Sequence, residues 1–138
     1  MKTENKIKLF LIDDEPVLLK LLEIQFLELG NFIVETFATG ELCIDSLSHN
    51  PNIIISDYHL NSIVKNAMNG LETLDKIKSL NAAIPVVILS SQDKIDVAVN
   101  CLHHKAVDYV EKNETAFLRL QKIITNILSC KCNSKKQH

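Results

Sequence analysis

The stretch IKLFLIDDEPVLLKLLEIQFLELG (Ile7–Gly30) decides the fold. It opens on the apolar run Ile7–Ile12, short and bounded as a buried strand is. Three acids follow, Asp13, Asp14 and Glu15, and then Pro16, whose fixed φ suits a first helical position. Leu18, Leu22, Phe26 and Leu29 recur at helical spacing, and Gly30 stands where a helix stops. The unit is therefore a strand, an acidic turn and a helix.

Outward from it the same unit recurs. FIVETF (Phe32–Phe37), NIIIS (Asn52–Ser56), PVVILS (Pro85–Ser90) and VDYV (Val107–Val110) read as strands. Counting Ile7–Ile12, three of the five are near-continuous Ile, Val and Leu, the composition expected when helices cover both faces of a parallel sheet. Between them, Leu71, Leu74 and Ile77 mark one helical stripe, and Ile95, Ala98, Val99 and Leu102 mark another. Phe117, Leu120, Ile124 and Ile127 mark a last helix, and residues 41 to 48 a shorter one. The pattern predicts an α/β fold with (βα) five times over, a three-layer sandwich around a five-stranded parallel sheet, with no internal linker or repeat.

Composition narrows the function. A chain of 138 residues with 46% hydrophobic residues makes one ordinary domain, able to bury its core without a staple. Three glycines, Gly30, Gly40 and Gly70, cannot spell either phosphate-cradling glycine motif, so a nucleotide loop is excluded. With one arginine and a formal charge of -2 there is no basic stripe, and no direct nucleic acid binding is expected. No apolar run approaches the length of a membrane span, and MKTENKIKLF lacks the apolar core of a signal peptide, so a cytoplasmic location without membrane contact is expected. Cys43 and Cys101 fall in apolar patterns and read as small buried hydrophobes, while the C-x-C of Cys130 and Cys132 reads as free thiols. The division expected is residues 1–128 as the domain and 129–138 as a basic, solvated tail. Its three lysines, taken from the total, leave the body with 12 bases against 17 acids, a net -5.

In a parallel sheet all strands end on one edge, and ligands of open α/β folds bind there. Asp13-Asp14-Glu15 follow the first strand, Asp57 the third, Ser90-Ser91 end the fourth and Lys112 lies just past the fifth. Taken singly, each suits a helix cap, a turn or a strand end. Together, three carboxylates around one cleft repel one another unless a cation lies between them, and an oxygen-only set without His or Cys favours Mg²⁺. A carboxylate nucleophile with a divalent cation, a hydroxyl and an ammonium around it is suited to phosphoryl transfer.

These residues resemble the receiver domain of two-component response regulators. The resemblance spans about the first 128 residues and rests on FLIDDEP, IIISDYHL, PVVILSS and VDYVEK, in order and each at the end of the corresponding strand. It implies a flavodoxin-like sheet of order 2-1-3-4-5. It also implies that Asp57 accepts a phosphoryl group from a histidine kinase or histidine phosphotransfer protein. Mg²⁺ would be held by Asp13, largely through water, by Asp14 and Asp57, and by the backbone carbonyl of His59. Lys112 would pair with the phosphoryl oxygens, Ser90 would bond one of them, and Tyr109 would turn inward as the switch aromatic. The signal to a downstream protein partner would pass through the face of the fourth helix, fifth strand and fifth helix, near Ile95, Val99, Lys105, Tyr109 and Phe117. On this reading the chain is a phosphoacceptor and not a turnover enzyme.

Departures from the family pattern are local. The family follows its phosphoacceptor with D-x-x-x-P-x-x-x-G, but here Asn61 replaces the proline and Gly70 comes late, so the loop after the third strand is lengthened. That loop borders the acids, where it is placed to alter partner docking or phosphate lifetime, unless it is a tolerated surface insertion. Asn113 replaces a proline that the family commonly joins through a cis bond, and predicts a trans link. Lys105 stands where the family often has glycine. Two other readings remain open: the receiver portion of a longer regulator or hybrid kinase, and an aspartyl-phosphate hydrolase. The hydrolase usually carries D-x-D after the first strand, which Asp13-Asp14-Glu15 does not supply.

Overall fold

The computed structural model describes residues 6–91 and 94–136, with side chains as far as Ser129. Five strands, β1 (Ile7–Ile12), β2 (Phe32–Phe37), β3 (Ile53–Asp57), β4 (Val86–Ser90) and β5 (Asp108–Glu111), form one sheet of order β2-β1-β3-β4-β5. Every pairing is parallel. The helices are α1 (Pro16–Glu28), α2 (Gly40–Asp45), α3 (Gly70–Leu80), α4 (Ile95–His103) and α5 (Ala116–Lys136), with a 3-10 turn at Leu47–His49 after α2. This is the flavodoxin-like (βα)5 sandwich that the sequence predicts.

Strand alternation divides the core into two layers. Leu9, Leu11, Ile53, Ile55, Val87 and Leu89 meet Leu22 and Phe26 of α1 and Leu120 and Ile124 of α5. On the opposite face, Phe10, Ile12, Ile54, Val86 and Ile88 meet Cys43 of α2, Leu74 and Ile77 of α3, and Cys101 of α4. The two cysteines are thus core hydrophobes, and burial pushes the Cys43 thiol up to about 12 and that of Cys101 to about 11.

Local chemistry sets the element ends. Pro16 opens α1 and Gly30, at φ +89°, follows its end. Asn69 and Glu72 make a reciprocal capping box at the start of α3. Helix α5 continues past residue 128, where the sequence reading ends the domain, to Lys136. Residues 129–136 contain no glycine or proline to stop it. Cys130 and Cys132 have no described side chains, and residues 137–138 lie outside the described residues. Among the described residues, no helix is long and apolar enough to cross a membrane.

Candidate functional site

Strand register brings the polar residues to one edge. Asp57 of β3 stands beside Leu89 of β4, and Ser90 beside Glu111 of β5. Backbone bonds extend the ladders one step past the strands: Asp13 N–H donates to Phe37 O at 3.1 Å, Tyr58 N–H to Leu89 O at 2.9 Å and Lys112 N–H to Ser90 O at 2.7 Å. The chain therefore turns away from the sheet right at Asp13, Asp57 and Lys112, and their side chains share the space above its edge.

Asp13, Asp14, Asp57 and Ser90 are all buried, at 2%, 7%, 3% and 0% exposure, an unusual density of polar groups for a protein interior. The Lys112 ammonium lies 3.2 Å from Asp13 Oδ2 and 3.1 Å from Asp57 Oδ1. Those two buried oxygens make no regular hydrogen bond, so the ammonium is their contact. The other oxygen of Asp13 accepts from Glu15 N–H at 2.9 Å, so this acid also pins the turn into α1.

One ammonium does not balance this charge. Burial, and then the Asp13 carboxylate, push Asp57 up to about 7 against the pull of Lys112 and of a hydrogen bond from the His59 backbone. Asp13 is raised as well, because burial outweighs the Glu15 amide and Lys112. Burial acts to lower Lys112, but the Asp57 and Asp13 carboxylates prevail and raise it. One oxygen from each of Asp13, Asp14 and Asp57 lies within 4.8 Å of the others, so the cluster could hold a metal ion. The donor chemistry fits a hard divalent cation: the set is oxygen only, and three buried carboxylates face a single ammonium. Among the described residues no other group of three metal-ligating side chains occurs.

The remaining predicted residues fall around this cluster. Ser90 ends β4, and Tyr109 stands in β5 beside Ile88, two residues before the strand ends. Burial raises the Tyr109 phenol against the opposing influence of Ser90. The His59 side chain is exposed, its ring edge-on to Tyr58 with centroids 4.9 Å apart. On the expected output face, Ile95 and Val99 are exposed at 81% and 52%. Phe117 departs from that face: it packs in a T-shaped pair against Phe26, centroids 5.0 Å apart, and the exposed neighbour is Leu118. Among the described residues no cis peptide occurs, so the link to Asn113 is trans as expected, and Asn113 Oδ1 accepts from the N–H and hydroxyl of Thr115 before α5. Lys105 adopts the left-handed φ of +80° that glycine usually supplies.

Sequence reasoning missed Ser62. Its backbone N–H donates to Asp14 Oδ2 at 3.1 Å, and its hydroxyl makes a closer bond to the same oxygen. The lengthened loop thus folds back over the acids, and nothing in its composition announces this.

An edge of carboxylates, hydroxyl and lysine on a doubly wound sheet is chemically able to support phosphoryl transfer. The response regulator receiver domain model matches residues 9–125, and the chain belongs to that family. It is 32% identical over 118 residues to a protein-glutamate methylesterase/protein-glutamine glutaminase of Clostridium acetobutylicum, covering 82% of this chain and 32% of that protein. It is 33% identical over 104 residues to the C4-dicarboxylate transport transcriptional regulatory protein DctD of Rhizobium meliloti, covering 75% of this chain and 21% of that protein. The chain therefore spans about a third or less of these relatives. Among solved structures, it is similar to the receiver domain of NtrX from Brucella abortus, with a TM-score of 0.77, 24% identity and 88% and 98% of the two chains covered. It is likewise similar to a chain of the CheX-CheY-BeF3-Mg complex from Borrelia burgdorferi, with a TM-score of 0.75, 21% identity and 92% and 98% covered.

Proposed function

We propose that this chain, with residues 1–128 as its receiver unit, accepts a phosphoryl group on Asp57 from the phosphohistidine of a histidine kinase or histidine phosphotransfer protein. The observation that carries the reading is the Lys112 ammonium held between Asp57 and Asp13 at the carboxyl edge of the sheet. An Asp57 carboxylate oxygen attacks phosphorus, forming an acyl phosphate O–P bond while the donor's P–N bond breaks and the imidazole nitrogen leaves with the electron pair. Asp13, Asp14, Asp57 and the His59 carbonyl would hold Mg²⁺, which when bound supplies positive charge to the transferring oxygens. Lys112 supplies further positive charge, and Ser90 donates its hydroxyl to a phosphoryl oxygen. Burial of the cluster excludes water and strengthens each of these interactions.

Phosphorylation adds about -1.5 to -2 charge and three strong acceptor oxygens, which biases an existing two-state arrangement of Ser90 and Tyr109. The exposure of Ile95 and Val99 supports a readout through the α4-β5-α5 face, for a protein partner. On this reading the chain acts in the cytoplasm and binds neither nucleic acid nor membrane directly. Its chemistry is limited to its own phosphorylation and dephosphorylation, which sets it apart from a hydrolase that turns over a separate substrate. Intact-mass analysis with acetyl phosphate and MgCl₂ tests it: the wild type gains one phosphoryl adduct, and Asp57→Asn gains none. Absence of an adduct on the wild type with both acetyl phosphate and a phosphorylated donor domain defeats the reading.

A further inference from the structure

We infer that Ser62, on the lengthened loop between β3 and α3, positions Asp14 for cation binding. The inference deepens the Mg²⁺ reading above and rests on it. Ser62 lies 48 residues from Asp14 in sequence, yet both its N–H and its hydroxyl end on the single oxygen Asp14 Oδ2. Two donors on one oxygen fix the rotation of that carboxylate and partly neutralise it. A cation held jointly with Asp13 and Asp57 would then meet a carboxylate that is already oriented, rather than one that must be ordered on binding. Hydrogen bonds that orient metal-binding carboxylates in this way commonly change metal affinity by about 10- to 100-fold.

The loop is built to deliver this hydroxyl. Its first part is anchored by Leu60, fully buried in the α3 and α4 layer. Its far end is tied by Gly70 N–H to Tyr58 O at 2.9 Å and by Met68 N–H to Glu41 Oε2 at 2.9 Å. Ser62 is therefore presented from a segment fixed on both sides, and little freedom is lost in reaching Asp14. By linkage, a cation in the cluster strengthens the Ser62 contact to the same degree that the contact strengthens the cation's binding.

The test is calorimetric titration of the full chain with MgCl₂, without phosphodonor, for wild type, Ser62→Ala, Ser62→Thr and Asp14→Asn. Ser62→Ala keeps the backbone donor and loses the hydroxyl, so its Mg²⁺ affinity is expected to fall about 10-fold. Ser62→Thr restores the hydroxyl and is expected to bind within about threefold of wild type, which a general loosening of the loop would not allow. Hydrogen exchange should show the amides of residues 61–64 slowed by MgCl₂ in wild type and less so in Ser62→Ala. Unchanged or tighter binding by Ser62→Ala, or equal loss in both serine variants, overturns the role of Ser62 while leaving the metal site intact. If wild type itself takes up no Mg²⁺, the metal reading and this inference fall together, and Asp14→Asn separates specific uptake from surface binding.

Discussion

Lys105 shows what a single residue costs where the backbone wants another. It follows α4 with φ +80°, and its N–H donates to Leu102 O at 3.0 Å while Ala106 N–H returns to Cys101 O at 3.1 Å. This is a helix-ending turn in which a side chain is strained by about 1 to 2 kcal/mol. Lys105→Gly is expected to stabilise the fold by about 0.5 to 1 kcal/mol in urea unfolding, less than the full strain because glycine gains freedom when unfolded. The position was legible in the sequence, since a lysine sits where the family turn has glycine. Ser62 and Phe117 were not. Ser62 is one polar residue in a polar loop, and Phe117 could face either α1 or solvent until the rotation of α5 set it against Phe26.

At the scale of elements, the loop of residues 58–69 depends on the start of α3. Gly70 meets the β3 end so closely that an added Cβ would lie 2.7 Å from Asp57 O and closer still to Tyr58 O. Those are backbone atoms and cannot swing away. Gly70→Ala is therefore expected to cost about 1 to 3 kcal/mol, as overpacking does, and to displace the loop from Asp14. Chemical denaturation gives the first quantity, and Mg²⁺ affinity below that of wild type reports the second. The existence and type of every strand and helix could be read from apolar runs and helical spacing, because those patterns record burial directly. The path of the loop could not, because it is set by contacts distant in sequence: Met68 with Glu41, and Ser62 with Asp14. The extent of α5 is not legible for a different reason. Polarity suggested a tail, but polarity alone does not end a helix that no glycine or proline interrupts.

Over the whole molecule, the carboxylate cluster makes stability depend on pH. Asp57 titrates at about 7 in the fold, against 3.8 as its ordinary value. Between those values the folded chain holds a proton that the unfolded chain has released, so metal-free stability declines as pH rises from about 4 to about 7 and levels off above. Asp13 is raised too and acts in the same direction. Thermal unfolding in EDTA should show this decline in wild type and a flatter profile in Asp57→Asn, with the variant the more stable of the two at pH 8. Added MgCl₂ should restore wild-type stability more at pH 8 than at pH 5, because binding needs the carboxylates ionised. The acids themselves were the most legible part of the site, since strand ends in a parallel sheet must converge; the burial that charges this penalty was visible only in three dimensions.

The hydrogen bond from Gly70 N–H to Tyr58 O has one more implication. It joins the two ends of the added segment, so that the segment departs from the scaffold and returns to it at almost one point. Such a closed detour is a graft: closing a longer circuit costs only logarithmically more, and neither the sheet register nor the start of α3 records its length. The family scaffold can therefore carry loops of many lengths at this port, each presenting its own side chain to the acids, while the five strands beneath stay the same.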